Sequence, residues 1–384
     1  MTPTSEDTPP HIALNAHLLS GEASYRSAGI HGYLYNTLAH LPDAAPGFRF
    51  TALTGAGNPP DHPALAVRRA RLPTANPIAR ILWEQLAAPF VLRRLRPDLL
   101  HGMAFALPFA WRGPAVVTIF DLSFMRYPGR LGALRRLYLR LAVRNAARRA
   151  RRVIAISRSG GAEIAALLGV PEDRIDVAYP GVGPDFYPRP AEEIAAFRAR
   201  EGLPERYILH LGTLEPRKNL DVLIRAYARL PQRGAVKLVL AGGRGWRTEL
   251  LLALIEELGL EADVILPGFI PGRGLPMWYN AAQLLAYPSV YEGFGMPVVE
   301  ALACGVPVAA SDTTSLPEAV GPGGVLLPPG DVEAWTDALS RLLDDPARRA
   351  ELAARGRAHA ATFKWTQTAR QTVDSYRRAL GLEG

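Results

Sequence analysis

The stretch YILHLGTLEPRKNLDVLIRAYARLPQRGAVKLVLAGG, residues 207–243, decides the fold. It opens on a short apolar run, crosses a loop, continues in a helical pattern and closes on a second apolar run. Both runs are continuous rather than alternating, as in parallel strands buried on two faces. The same unit recurs outward in both directions. HIALNAHLL, FRFTALTG, AVVTIFD, RVIAIS and IDVAYPG are candidate strands before it, and VILPGF, LLAYPS, VPVAASD and GVLLPP after it. Helical segments such as RTELLLALIEELGL separate most of them, which predicts doubly wound α/β units.

A chain of 384 residues is too long for one core, so two domains are expected. GVGPDFYPRP, residues 181–190, is dense in glycine and proline and marks the break near residue 185. The expected division is a disordered tail over 1–10, a Rossmann-like acceptor domain over 11–185, a Rossmann-like donor domain over 186–363 and a terminal helix over 364–384. Two such domains would face each other across a cleft, with ligands at the carboxyl ends of the strands.

A hydrophobic content of 48% with 21% charged residues describes a globular chain, not a disordered one. The net charge is +8, almost all from arginine, since Lys218, Lys237 and Lys364 are the only lysines. That balance favours anionic partners. Cys304 stands alone, which excludes an intrachain disulfide and fits a reducing cytoplasm. MTPTSEDTPP lacks the basic and apolar regions of a signal peptide, and no apolar run is long enough to span a bilayer. A cytoplasmic location is expected.

YPSVYEGFGMPVVEALACGVPVAASD, residues 287–312, places Glu292 in a loop leaving a strand and Glu300 in or near the first turn of the next helix. Free N–H groups and the helix dipole there favour an anion or a hydroxyl-rich ligand. Gly293 and Gly295 permit close approach to the backbone, and Pro297 suits a helix start. Taken alone, the two glutamates also read as a solvated loop residue and a helix-start acid. Arg217 and Lys218 follow a strand just ahead of a helix, with Asn219 as the expected cap. Side by side they read as a diphosphate clamp, a planar fork next to a point charge. A solvent-exposed pair would leave their placement unexplained, because a helix start is electrostatically poor for cations.

The chain resembles the large family of retaining GT-B glycosyltransferases that use nucleotide-sugars, the "group 1" or fourth family, and is most similar to its mannosyltransferase-like members. The motifs that carry the resemblance are GTLEPRKNL, LVLAGG, GFIP, PSVYEGFGMPVVEALACGVPV and SLPEAVG, in that order, with AGIHGYLYNTL, TIFDLSFMRYP and RVIAISRSG in the first half. The resemblance implies that Arg217 and Lys218 hold the donor diphosphate, beside Gly212 and Thr213. It implies that Glu292 and the backbone of Gly293, Phe294 and Gly295 hold the donor sugar, that Glu300 contacts the ribose, and that Phe269 and Ile270 lie near the base. Gly29 and Gly32 match the family's glycine loop near the phosphates. It further implies transfer of a hexose, mannose from GDP-mannose, to a saccharide or lipid-linked acceptor, with no metal or other cofactor. Phe120 stands where relatives often carry histidine, so either this subgroup does without that contact or Asp121 or His101 would supply the polar catalytic group there. His101 also reads as a packed histidine.

RLGALRRLYLRLAVRNAARRARR, Arg130 to Arg152, has Leu134, Leu137, Tyr138 and Leu141 on one face and Arg136, Arg140, Arg144 and Arg148 in a row on another. Two readings stand: a core-packed helix with a solvated arginine face, or contact with an anionic membrane at the inner face. No nucleic-acid-binding module is recognised. The alternatives in function are a transferase of glucose-type UDP or ADP donors, a GT-B sugar-nucleotide epimerase, or a sugar-nucleotide-binding protein without turnover.

Overall fold

The computed structural model describes residues 9–19, 28–70, 72, 74, 76–127 and 132–382. Most of the expected N-terminal tail and Arg130 therefore lie outside the described residues. The chain divides into two compact units, Met1–Gly181 with Trp365–Gly384, and Val182–Lys364.

Among the described residues, the first unit has seven strands: β1 (His11–Asn15), β2 (Arg49–Thr54), β3 (Leu65–Arg69), β4 (Leu99–Gly102), β5 (Ala115–Ile119), β6 (Arg152–Ala155) and β7 (Ile175–Val177). They form one sheet in the order β3-β2-β1-β4-β5-β6-β7, and every pairing is parallel. β1 and β5 are buried along their whole length, as their unbroken apolar runs require. β3 is missing from the sequence reading because it is an edge strand, LAVRR, whose residues after Leu65 are exposed. The helix Trp365–Leu380 belongs to this unit and buries Trp365, Ala369, Val373 and Tyr376 on one face.

The second unit has β8 (Tyr207–Leu211), β9 (Lys237–Ala241), β10 (Val264–Gly268), β11 (Leu284–Tyr287), β12 (Val308–Ser311) and β13 (Gly324–Leu327). Their order is β10-β9-β8-β11-β12-β13, again parallel throughout. All six coincide with the apolar runs of the sequence. The helix Leu220–Ala228 buries Leu220, Leu223, Ile224 and Tyr227, and Trp335 closes the same core without exposure. The strand ends of β8 and β9 nearly touch. A Cβ at Gly242 would lie 1.9 Å from the Gly212 carbonyl oxygen, so only glycine fits there.

The arginine-rich helix runs from Ala133 to Arg149, and its orientation shows which of its faces packs inward. Its buried face is Ala142, Val143, Ala146 and Ala147, while Leu134, Leu137 and Leu141 point into solvent. The expectation of leucines packed in the core is therefore overturned. Alanine lets the helix axis approach the sheet closely, and the larger leucines are left outside.

The contact at Gly242 makes a stability prediction. Gly242→Ala should cost about 1–3 kcal/mol by overpacking, read from urea midpoints. Gly234→Ala, where a Cβ meets nothing within 4 Å, should change stability by less than about 0.5 kcal/mol.

Candidate functional site

β8 and β11 are neighbours in the sheet, so the loops leaving their carboxyl ends lie side by side. After β8 the chain forms a tight turn, Pro216–Lys218, before the helix Leu220–Ala228. After β11 a loop leads into the helix Met296–Ala303. The Val290 N–H donates to the Arg217 carbonyl at 3.0 Å and joins the two loops. The Arg217 guanidinium donates to the Tyr291 carbonyl at 2.5 Å.

Across this junction Glu292 receives both cations. Its Oε2 lies 3.0 Å from Arg217 Nη1 and its Oε1 lies 2.5 Å from Lys218 Nζ. Arg217 is held from behind by the buried Glu215 at 3.0 Å, and Lys218 donates to the Tyr287 hydroxyl at 2.7 Å. The four ionic side chains are between 4% and 15% exposed, so they sit in a low-dielectric environment where pairing counts. Burial alone would raise the Glu292 carboxyl. Arg217 and Lys218 override it and hold the carboxyl down to about 2. Glu292 is therefore ionised at neutral pH.

The rest of the loop is fixed by its backbone. The Glu292 N–H donates to Thr314 Oγ1 at 3.1 Å, and Ser315 Oγ bridges the carbonyls of Glu292 and Phe294, 3.0 Å from each. Ser315 opens the SLPEAVG motif, which gives that motif a physical role. Gly295 has φ +108°, and a Cβ there would meet Leu316 Cδ2 at 2.9 Å. Its need for glycine is thus met within the protein. The Phe294 side chain is buried, edge-on to Phe363 with centroids 5.2 Å apart. Asn219 does not cap the helix through its side chain. It takes a left-handed backbone, φ 55°, and its amide donates to the Pro288 and Pro329 carbonyls.

Glu300 lies beyond the first turn of its helix, which begins at Met296 and has no acidic residue in that turn. It accepts from the Tyr279 hydroxyl at 2.8 Å, and burial pushes its carboxyl up to about 7. Tyr287 lies within electrostatic reach of both Glu300 and Glu292. Gly212 and Thr213 follow β8 directly. Phe269 is partly exposed at the end of β10, two strands from β8, while Ile270 is buried.

Sequence reasoning missed Glu215, Tyr287 and His210. Glu215 could have been found from its place two residues before Arg217. His210 is fully buried in β8, stacked on Tyr287 with centroids 5.5 Å apart. Burial and the nearby Lys218 push its imidazole down to about 3. Its Nδ1 donates to the Ala286 carbonyl at 3.1 Å, so Nε2 carries a lone pair, and that atom has no partner.

The first unit holds the remaining expected residues. Gly29 and Gly32 lie inside the helix Ala28–Ala44, not in a loop, and open space surrounds a Cβ at either. His101 is buried at the end of β4, with Nδ1 2.7 Å from the Tyr376 hydroxyl and Nε2 2.8 Å from Thr118 Oγ1. Burial pushes its imidazole down to about 3. Both ring nitrogens are engaged, so the expectation of a catalytic His101 gives way to a structural role. Asp121 is half-buried, and its Oδ1 accepts from the Ser123 N–H at 2.8 Å, closing the turn into the short helix Ser123–Arg126. Phe120 packs edge-on against Tyr33 at 5.0 Å.

This unit also has a polar cavity of about 60 Å³ that the sequence did not announce, lined in part by Asn15, His17, Arg80, Glu84 and Tyr138. A π-helical turn, Trp83–Ala87, carries Glu84 inward to accept from Asn15 Nδ2 at 2.6 Å. Both ring nitrogens of the buried His17 lack a partner. Among the described residues no group of three or more His, Cys, Asp or Glu side chains could hold a metal ion.

Two family models match the chain: "Glycosyltransferase Family 4" over residues 28–186 and "Glycosyl transferases group 1" over residues 193–359. O-antigen chain mannosyltransferase B of Escherichia coli is 35% identical over 291 residues, covering 75% of this chain and 76% of that protein. D-inositol 3-phosphate glycosyltransferase of Mycobacterium avium (strain 104) is 43% identical over 219 residues, 54% of this chain and 50% of that protein, so the match spans half of that relative. Among solved structures, sucrose-phosphate synthase from Thermosynechococcus elongatus is 25% identical with a TM-score of 0.76, covering 97% of this chain and 100% of that one. WaaG, a glycosyltransferase involved in lipopolysaccharide biosynthesis, shares the fold at 19% identity and a TM-score of 0.70, covering 94% and 98%.

Two parallel α/β units of this kind define a GT-B fold. The chain belongs to the group 1 family of glycosyltransferases.

The Glu292 ion pairs predict an acid-sensitive step. A carboxyl at about 2 in the folded chain and near 4.5 when unfolded takes up protons first in the unfolded state. Its contribution to stability is complete above about 4.5 and is lost as pH falls toward about 2. Urea midpoints of wild type should fall more steeply across that window than those of Glu292→Gln.

Proposed function

We propose that the protein is a retaining hexosyltransferase that moves mannose from GDP-mannose to a saccharide or lipid-linked acceptor, without a metal or other cofactor, at the inner face of the membrane. The observation that carries this reading is the convergence of Arg217 and Lys218 on Glu292 at the ends of β8 and β11. Breaking the anomeric C–O bond leaves negative charge on the outer phosphate of the donor. Two fixed cations stabilise that charge more in the transition state than in the ground state. They supply what a divalent ion supplies elsewhere, which supports transfer without one. The leaving phosphate oxygen can take the acceptor hydroxyl proton, so no protein nucleophile is needed. That route also suits the first unit, where His101 is occupied and Phe120 cannot accept a proton.

Mannose is supported by the 35% identity to the Escherichia coli O-antigen chain mannosyltransferase B over three quarters of each chain. In this reading Glu300 accepts from ribose hydroxyls once its carboxyl is ionised.

Arg217→Ala and Lys218→Ala should each remain folded by circular dichroism and lose on the order of 10²–10³ in transfer rate. Near wild-type turnover in both would reject the clamp. In the same assay GDP-mannose should raise the melting temperature more than UDP- or ADP-glucose, and donor binding with neither transfer nor hydrolysis would identify a binder. Donor affinity should also rise as pH climbs through about 7, where Glu300 ionises. Titration calorimetry on Glu300→Gln should show that pH dependence flattened.

A further inference from the structure

His210 is the fourth residue of β8, opposite Leu240 of β9, on a strand buried along its whole length. An imidazole placed there loses its water, and hydrogen bonds must answer for the loss. Only one ring nitrogen is answered. Nδ1 donates to the Ala286 carbonyl of β11 at 3.1 Å. That bond fixes the tautomer and puts a lone pair on Nε2, which has no partner. Burial and the neighbouring Lys218 push the ring down to about 3, so it is neutral at any working pH.

The unanswered atom lies beside an ammonium group with a donor to spare. A Cβ built at Gly212 would lie 3.4 Å from His210 Nε2 and 3.4 Å from Lys218 Nζ, so both atoms border the same small space. Tyr287 joins them from one side. Its ring stacks on the imidazole, 20° from parallel, and its hydroxyl accepts from Lys218 at 2.7 Å. The ammonium has three N–H donors, and Glu292 and Tyr287 take two. One donor and one acceptor are left as neighbours.

A neutral acceptor suits this place for a reason of charge. Lys218 is buried and repelled by Arg217, and it is attracted by Glu292 and Glu215. A further carboxylate would cancel the positive charge of the site, and a protonated imidazole would add to the repulsion. An imidazole locked neutral by the Ala286 carbonyl gives the ammonium a direction and does neither.

We propose that His210 is a positioning residue for Lys218: rotation of the lysine's terminal bonds brings its third N–H onto Nε2, which holds the cation at the carboxyl end of β8 with its full charge available to an anionic oxygen. The kinetic consequence rests on the transfer proposed above, whereas the titration of the lysine is read without donor, so the two can fail separately. The chain has three lysines, Lys218, Lys237 and Lys364. Lysine labelled with carbon-13 at Cε therefore gives three signals, and Lys218→Ala identifies one by its loss. An acceptor stabilises the protonated amine. His210→Phe, which keeps a ring against Tyr287 but has no lone pair, should therefore lower the pH at which Lys218 titrates by about one unit. His210→Leu should lower it likewise, and His210→Gln, whose amide oxygen can accept, should restore most of the difference. With GDP-mannose, His210→Phe should lower kcat by about tenfold and leave the donor KM within about twofold. Added to Lys218→Ala it should cost nothing more. An unchanged Lys218 titration in His210→Phe and His210→Leu, or an equal loss of kcat with and without Lys218, would overturn the proposal. A shifted titration in a chain that transfers no sugar would uphold it and reject the transfer.

Discussion

Arg217 and Lys218 are consecutive, like-charged and largely removed from water, an arrangement that repels itself unless carboxylates answer it. Glu292 answers both, one oxygen to each cation, and Glu215 takes a second edge of the guanidinium. The local formal charge then sums to zero, which makes burial tolerable. Everything around the loops serves that geometry. The Val290 N–H ties the two loops together, Ser315 fixes the carbonyls on either side of Gly293, and Gly242 lets β9 close against the turn after β8. These contacts join the cluster to the sheet ends as one structural element.

The fold was legible because buried parallel strands leave an unmistakable trace. Six continuous apolar runs in the second half became six strands, since both faces of that sheet are covered. β3 left no such trace, because an edge strand with exposed arginines has no need of an apolar run. The helix Ala133–Arg149 misled for a different reason. Periodicity identifies that a stripe exists but not which stripe faces inward. Here close packing selected the alanines and Val143 over the longer leucines.

The site was legible in part. Arg217, Lys218 and Glu292 could be read because cations at a helix start and a carboxylate among glycines both break ordinary preferences. The structure brings these three together. Glu300 was placed on the right helix, where it lies just past the first turn. His101 could not be judged from sequence, because its partners Thr118 and Tyr376 lie 17 and 275 residues away. The Phe294 side chain packs on Phe363 and Gly295 takes a left-handed backbone, neither of which the sequence announced. Long-range partners of this kind have no local signature.

An ion cluster that is already neutral needs a reason to engage a further anion, and Lys218 supplies it. An ammonium carries three donors, and Glu292 and Tyr287 account for two of them. Close by, His210 Nε2 offers a lone pair with no partner of its own. The lysine thus sits among more acceptors than it uses, with its ammonium over the Tyr287 ring, 4.8 Å from Nζ to the ring centroid. The cost of ordering these charges falls on folding rather than on any later binding step. In the proposed transfer, negative charge appearing on a phosphate oxygen would draw on cations whose ordering is already complete, and the gain would come at the moment the bond breaks.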